Sequence, residues 1–258
     1  MNNILIKVEN LVKTFGGLVA LNDCSLEIKD KTITGIIGPN GSGKTTLFNV
    51  ITGNLKPDTG KVFYNGVEIT NEESHDLFHL GVLRTFQIAH EFSNMTVIEN
   101  LMVVPGNQKG EKLLYSLINS QKIKKEDELI KDKAMEVLKF LKIEHLKNER
   151  AGNLSGGQKK LLELARTMMV DAKIVFLDEV GAGVNKTLLR DISDSILKLN
   201  QDKGYTFCMI EHDFNFISEL CDPVIVLAEG SVLFKGSAEE VKSNEQVIES
   251  YLGKGLKK

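Results

Sequence analysis

One stretch of the chain has residue types and a spacing that can bind a phosphate chain: Gly38-Pro39-Asn40-Gly41-Ser42-Gly43-Lys44-Thr45-Thr46. It fits the pattern G-x-x-x-x-G-K-[ST] at every fixed position. The glycines let backbone N–H groups turn towards phosphate oxygens, and the N-terminus of a following helix adds its partial positive charge. Lys44 can then reach the terminal phosphates, and the hydroxyl of Thr45 can bind Mg²⁺. This stretch, the phosphate loop, therefore predicts nucleotide binding.

The residues on either side supply the context that the phosphate loop requires. Ile33–Ile37 is a short apolar run rich in β-branched residues, which predicts a buried strand. After the loop, Leu47, Val50 and Ile51 recur at helical spacing, and Gly53 is placed to end the helix. A tight turn without a ligand is the alternative reading of a glycine-rich loop. The succession of strand, loop and helix favours the nucleotide.

Composition and charge are those of an ordinary globular protein. The 258 residues suffice for one large domain or two closely joined ones. Hydrophobic residues make up 42% of the chain and charged residues 26%, which is typical of soluble proteins. The formal net charge of −3 gives no reason to expect nucleic acid as the main partner.

The sequence also predicts where the protein works. No apolar run approaches the roughly 18 residues that a membrane span needs. Residues 1–9 lack the basic and apolar regions of an export signal. Cys24, Cys208 and Cys221 are widely spaced and form no metal-binding pattern, so we expect small buried hydrophobic residues in a reducing compartment. A cytosolic protein is therefore predicted.

Periodicity in the N-terminal part predicts antiparallel strands. Apolar and polar residues alternate at period two in residues 4–9 and 24–29, as in half-buried strands. Asn65-Gly66 separates two short β-type runs, which is a hairpin signal. Further along the chain, strand patterns alternate with helical ones, so we expect an α/β fold with a mainly parallel sheet.

The middle of the chain is predicted to be a helical insert. Between residues 88 and 165 the strand pattern gives way to apolar residues at helical spacing. The many lysines there predict a solvated face rather than a binding patch. We therefore expect a nucleotide-binding core of residues 1–87 and 166–258, which includes the antiparallel strands, and a helical subdomain of residues 88–165.

Polar side chains follow several predicted strands, where ligands bind in a parallel sheet. Asp178 closes an apolar run, and its carboxylate can bind Mg²⁺ directly or through water. Glu179 comes next and can polarise an attacking water. The amide of Gln87 can bond to water or Mg²⁺, and His212 can contact the γ-phosphate or the water. A lone Gln or His is more often structural, but together with the phosphate loop these residues predict phosphate chemistry.

A second candidate anion site is Leu154-Ser155-Gly156-Gly157-Gln158, which precedes a predicted helix. A serine and two glycines at a helix N-terminus can bind an anion through N–H groups and the helix dipole. Two phosphate sites for one nucleotide would be redundant within a chain, unless a second copy supplies one of them. The alternative is that Ser155 only caps the helix.

Phe15-Gly16-Gly17 lies between the predicted strands of residues 4–9 and 24–29. Because two glycines free the backbone, Phe15 can present its ring to a planar ligand. A core aromatic residue at the end of a strand is the alternative interpretation.

The order of phosphate loop, Gln87, LSGGQ, Asp178-Glu179 and His212 resembles that of the ATP-binding cassette (ABC) ATPases, and the resemblance covers the whole chain. It implies a RecA-like P-loop NTPase core with an antiparallel β subdomain and an inserted helical subdomain. It also implies a head-to-tail dimer with two ATP molecules at its interface. Glu179 would be the catalytic base, His212 would orient the water and the γ-phosphate, and Phe15 would stack on adenine.

The same resemblance implies that LSGGQ acts on the other subunit. Ser155 and Gly157 would contact the ATP that is bound at Lys44 of a second cassette. That second cassette is the same chain or a paralogue, and the resembled proteins favour a paralogue.

A finer resemblance is to the ATPases of branched-chain amino acid importers. It rests on Phe15-Gly16-Gly17, Arg84-Thr85-Phe86-Gln87, Ala182-Gly183-Val184-Asn185, the run from Met95 to Leu101 and Tyr251-Leu252-Gly253. One departure is Val180, where these ATPases usually carry proline. Valine releases the fixed φ and restores an N–H, which puts the rigidity of the loop after Glu179 in doubt.

The finer resemblance implies a set of partners and a place in the cell. The chain would be the ATP-hydrolysing subunit on the cytoplasmic face of the membrane, bound to two transmembrane permease subunits and served by an extracytoplasmic solute-binding protein. Urea or amide importers and lipopolysaccharide-type exporters use similar subunits and stay open as alternatives. A soluble cassette of DNA repair or translation is less favoured, because such proteins carry two cassettes or a long coiled-coil insert.

Overall fold

The structure is a computed structural model that describes residues 3–85, 91–106, 108 and 120–252. The chain forms two compact units. The first comprises residues 1–87, 173–181 and 197–258, and the second comprises residues 88–172 and 182–196. The domain limits expected from the sequence stay a prediction.

The described strands are β1 Ile4–Phe15, β2 Leu18–Lys29, β3 Ile33–Ile37, β4 Thr59–Tyr64, β5 Val67–Glu68, β6 Val82–Arg84, β7 Ile174–Asp178, β8 Thr206–Ile210, β9 Val224–Ala228 and β10 Ser231–Gly236. The described helices are α1 Lys44–Ile51, α2 Ser74–His79, α3 Val97–Met102, α4 Ser120–Phe140, α5 Gly156–Met168, α6 Lys186–Lys203, α7 Phe214–Leu220, α8 Ala238–Ser243 and α9 Glu245–Leu252. The α/β class predicted from the sequence is confirmed.

One sheet of the first unit is antiparallel, with the strand order β2-β1-β4-β5. The hairpin at Asn65-Gly66 is confirmed. Strands β1 and β2 are longer than the period-two pattern predicted, because Asn10 and Asp23 have positive φ values of 48° and 53° and break the alternation. The register of β1 against β2 shifts between Val8 and Leu11, next to Asn10.

The other sheet has the order β10-β9-β3-β8-β7-β6 and is parallel except for the pair β9 and β10. Every residue of β3, β7 and β8 is buried, as expected for central parallel strands. Strand β6 was not predicted, since three residues are too few for a recognisable pattern. Because these strands run parallel, the carboxyl ends of β3, β6, β7 and β8 lie along the same edge of this sheet.

Helix α1 is anchored at both ends of its short length. Gly43 begins it with φ of 99°, and Gly53, with φ of 70°, donates its N–H to the carbonyl of Val50 at 3.2 Å. The predicted helix end is therefore confirmed. Its buried face carries Phe48, whose ring meets that of Phe176 on β7 edge to face at 5.0 Å.

Helices make up the regular structure described in the second unit. On α4 the apolar residues Ala134, Val137 and Leu138, which recur at helical spacing, are buried. Helix α3 starts with a capping box in which Thr96 and Glu99 satisfy each other's backbone N–H groups. Asn100 is fully buried and bonds to both the N–H and the carbonyl of Phe92, at 2.8 and 3.1 Å.

Two expectations about the whole chain can be compared with the described residues. Cys24, Cys208 and Cys221 are all buried and free, as expected for small hydrophobic residues. Within the described ranges, no helix is both long enough and apolar enough to cross a bilayer.

Candidate nucleotide site

The phosphate loop links β3 to α1 and depends on its glycines. Gly38, Gly41 and Gly43 have φ values of 156°, 79° and 99°, which L side chains rarely adopt. A Cβ on Gly38 would also collide with the carbonyl oxygen of Leu227 on β9. The hydroxyl of Ser42 in the same loop is buried and has no hydrogen-bond partner. An oxyanion that enters the loop would supply this missing partner.

Lys44 is held inside the phosphate loop. Its Nζ donates to the carbonyl oxygens of Gly38 at 2.8 Å and Pro39 at 3.1 Å. Burial lowers the pKa of Lys44, while the carboxylates of Glu179 and Asp178 oppose that shift by raising it. The structure therefore brings together three of the predicted site residues, a lysine and two carboxylates.

Asp178 ends β7 and pairs with Arg84, the last residue of β6. The Arg84 Nη2 lies 2.7 Å from the Asp178 Oδ2, and both side chains are buried. The Arg84 Nη1 donates to the side-chain oxygen of Asn49 on α1. Arg84 thereby links two strands and the helix that follows the phosphate loop. No role was predicted for Arg84 from the sequence, because its partner Asp178 is 94 residues away along the chain.

Glu179 and His212 are in direct contact. The Glu179 Oε1 lies 2.9 Å from the His212 Nε2. Glu179 has a φ of 50°, so it occupies a left-handed conformation. This conformation costs conformational free energy for residues other than glycine. Its N–H donates to the carbonyl of Ile210 at 3.0 Å, which fixes it to the end of β8. The two residues that sequence analysis named as base and water-orienting group thus form one unit.

The side chains at this edge also fit a Mg²⁺ ion that is bound with a nucleotide. Magnesium prefers oxygen ligands and usually keeps several waters, with one or two protein ligands and the phosphates. Thr45 is exposed in the first turn of α1, and Arg84 bonds only one oxygen of Asp178. Among the described residues, no group of three or more His, Cys, Asp or Glu side chains is arranged to hold a metal ion. Gln87, the other predicted ligand, lies outside the described residues.

Phe15 lies at the tip of the β1–β2 hairpin and is 48% exposed. The alternative of a core aromatic residue is therefore wrong. The Lys13 Nζ lies 5.7 Å from the ring centroid, so one charged side chain already neighbours the ring. Its role in stacking on adenine stays a prediction.

The segment Leu154-Ser155-Gly156-Gly157-Gln158 begins α5 in the second unit. Ser155 is its N-cap, and Gln158 accepts the N–H of Ser155 at 2.9 Å, so the capping alternative holds locally. A Cβ on Gly157 would collide with Leu188, whereas open space surrounds Gly156. The exposed face at Gly156 stays available to an anion, and its predicted use stays a prediction.

Tyr251 on α9 is a contact that the sequence analysis did not assign to the site. Burial raises the pKa of Tyr251, and the nearby backbone N–H of Gly38 opposes that shift. The helix near the end of the chain therefore touches the first residue of the phosphate loop.

A family model described as ABC transporter matches residues 21–182, more than half of the chain. The chain belongs to the ABC transporter family. A second model, described as branched-chain amino acid ATP-binding cassette transporter, matches residues 231–257. The resemblance and the ATPase class predicted from the motifs are confirmed.

Curated and solved relatives agree with this assignment. The probable branched-chain amino acid transport ATP-binding protein LivG of Archaeoglobus fulgidus is 42% identical over 249 residues, covering 96% of this chain and 95% of the relative. A crystal structure of the ADP conformation of an ATP-binding cassette of an ABC transporter matches with a TM-score of 0.83 at 41% identity, over 97% of this chain and 99% of that one. A dimeric cassette in a post-hydrolysis state, bound to ADP and Pi, matches with a TM-score of 0.74 at 25% identity, over 91% of this chain and 99% of that one.

The buried pair at this site leads to a stability prediction. Arg84→Met should lower the free energy of unfolding by about 3–5 kcal/mol, because it leaves the carboxylate of Asp178 buried without its charged partner. Adding Asp178→Asn should recover most of this loss, since the uncompensated charge is then removed. Urea unfolding of both variants measures the effect. A loss in the double variant as large as in Arg84→Met would contradict the explanation.

Proposed function

We propose that this chain is the ATP-hydrolysing subunit of an ABC importer that energises uptake of branched-chain or related amino acids through separate permease subunits. The contact between Glu179 and His212, beside the phosphate loop, carries the enzymatic part of the proposal. The relatives named for branched-chain amino acid transport support the substrate class.

The proposed reaction is in-line attack of water on the γ-phosphate of ATP. Glu179 accepts a proton from the attacking water as the new phosphorus–oxygen bond forms. The bond from the γ-phosphorus to the bridging oxygen breaks, and ADP leaves with that oxygen. His212 orients the water and the γ-phosphate through the edge of its ring. Lys44 moves from the carbonyls of Gly38 and Pro39 to the terminal phosphates, where its charge stabilises the transition state.

Thr45 and Asp178 are the residues that would hold Mg²⁺, with Gln87 as the predicted third. When bound, Mg²⁺ neutralises the phosphate charge. The buried bond from Arg84 keeps the carboxylate of Asp178 in a fixed orientation at the end of β7. The phosphate loop itself supplies backbone N–H groups from the residues on either side of Pro39 and from its glycines. It also supplies the buried hydroxyl of Ser42.

A second cassette completes each site in this proposal. Ser155, Gly156 and Gly157 present the N-terminus of α5, and an exposed N-terminus can bind phosphate oxygens of a nucleotide held by another chain. The dimeric relative bound to ADP and Pi supports this arrangement. Binding of two ATP molecules between two cassettes would close the dimer, and hydrolysis would open it again.

Two permeases would convert this closure into transport across the membrane. By the family resemblance, the segment from Gln87 to Asn100, of which residues 87–90 lie outside the described residues, would receive a short helix from each permease. The chain would then work on the cytoplasmic face of the membrane, while an extracytoplasmic solute-binding protein delivers the amino acid. Nucleic acid has no part in this proposal.

The assignment of the base is tested with Glu179→Gln. We expect ATP turnover to fall at least about 100-fold, because an amide cannot accept the proton. ATP binding should stay close to that of the wild type, since Gln has the same shape and removes no phosphate contact. Glu219→Gln, on the exposed face of α7, is the matched control and should keep normal turnover. Near-normal turnover in Glu179→Gln would contradict the assignment.

The shared site is tested by mixing two inactive variants. Lys44→Ala removes the phosphate-binding charge, and Gly156→Glu adds a negative charge at an exposed position where a Cβ would meet no neighbour within 4 Å. Each variant alone should be inactive. An equimolar mixture should regain activity, because mixed dimers contain one intact site and about a quarter of all sites are then intact. For a dimer of two copies of this chain, a mixture as inactive as its components would contradict the shared site.

A further inference from the structure

Glu211 has a buried carboxylate that has no role in the reaction proposed above. It lies between Ile210, which ends β8, and His212, and it is only 5% exposed. A buried carboxylate is costly unless hydrogen bonds satisfy it, so its contacts identify what it does.

Those contacts join the two loops that carry the reactive groups. The Glu211 Oε1 accepts the N–H of Gly181 at 2.8 Å. The backbone N–H of His212, the next residue, lowers the pKa of the same carboxylate and therefore lies close to it. One contact is therefore to Gly181, two residues after Glu179. The other is to the backbone of His212, whose side chain touches Glu179.

Glu179 needs such support because of its backbone. Its left-handed conformation, with φ of 50°, is held on one side by the hydrogen bond to Ile210 at 3.0 Å. On the other side stands Val180, whose φ is not fixed by a ring as that of proline would be. The bond from Gly181 to Glu211 is the next constraint along the chain. Two hydrogen bonds therefore hold this segment at the end of β8, one from the N–H of Glu179 itself and one from Gly181, two residues later.

We propose that Glu211 is a positioning residue that sets the distance between Glu179 and His212 by holding the loop Glu179–Gly181 and the backbone of His212 together. It touches neither substrate nor reacting atoms. It acts by keeping the Glu179 Oε1 at 2.9 Å from the His212 Nε2. This inference rests on the role of Glu179 proposed above.

The surroundings of Glu211 define which property of the side chain matters. Burial raises the pKa of Glu211, the two backbone N–H groups lower it, the charge of Glu179 raises it and His212 lowers it. Burial raises the pKa of the nearby Cys221 thiol, and the charge of Glu211 adds to that shift. Because hydrogen bonding rather than charge makes the link to Gly181, an uncharged acceptor of the same length should replace it.

Two substitutions separate reach from charge. Glu211→Gln keeps an oxygen acceptor at the same position but removes the charge. Glu211→Asp keeps the charge but is shorter by one methylene, so the 2.8 Å contact to Gly181 opens to about 4 Å, beyond hydrogen-bond range. Val62→Ala is the control for general destabilisation, because Val62 is buried in β4 of the antiparallel sheet.

The measurements are kcat, KM, the dissociation constant of ATP and the melting temperature. We expect Glu211→Asp to lower kcat about tenfold or more, because small displacements of reacting groups are costly, while ATP affinity stays within about twofold of the wild type. Glu211→Gln should keep at least about a third of the wild-type kcat, since the acceptor is conserved. Val62→Ala should lower the melting temperature and leave kcat unchanged.

Three results would overturn the inference: normal kcat in Glu211→Asp, a kcat in Glu211→Gln as low as in Glu211→Asp, or a fall in kcat that Val62→Ala reproduces at equal melting temperature. Glu179→Gln, assayed alongside, distinguishes the two levels of the argument. If it abolishes turnover while Glu211→Asp is normal, only the positioning role fails. If Glu179→Gln retains turnover, the proposed base itself fails.

Discussion

The site depends on the attraction between the charge of Lys44 and the carboxylates of Asp178 and Glu179. All three residues lie at the carboxyl edge of the parallel sheet. A buried ammonium needs acceptors, and here two backbone carbonyls of the phosphate loop provide them. Burial lowers the pKa of Lys44, and the two carboxylates oppose that shift. Arg84 in turn balances Asp178, so that the edge carries a network of alternating charges. A nucleotide enters a site whose charges are already arranged.

The parallel sheet makes this arrangement possible because its central strands are buried along their whole length. Strands β3, β7 and β8 end at the same edge, and their next residues are those of the phosphate loop, Glu179 and Glu211. Positive φ values also occur at this edge, in the glycines of the loop and in Glu179. The hydrogen bond from the Glu179 N–H to the carbonyl of Ile210 at the end of β8 helps to hold Glu179 in its left-handed conformation.

The sequence predicted those parts of the site that local patterns encode. The phosphate loop, the end of α1 at Gly53 and the strand that closes at Asp178 each depend on neighbouring residues, so spacing alone predicted them. Contacts between distant residues left no such pattern. Arg84 and Asp178 are 94 residues apart, and Gly181 and Glu211 are 30 apart. Strand β6 and helix α2 were missed because three and six residues are too short to show a period.

The central claim is that this ATPase drives amino acid import through separate permeases, and affinity purification tests it most directly. The Glu179→Gln protein would be purified from its native membranes in the presence of ATP, which favours the closed complex, and its partners identified by mass spectrometry. The account predicts two membrane-spanning permeases of the amino acid importer type together with a cassette ATPase. Export-type permeases, or soluble partners alone, would contradict the transport assignment.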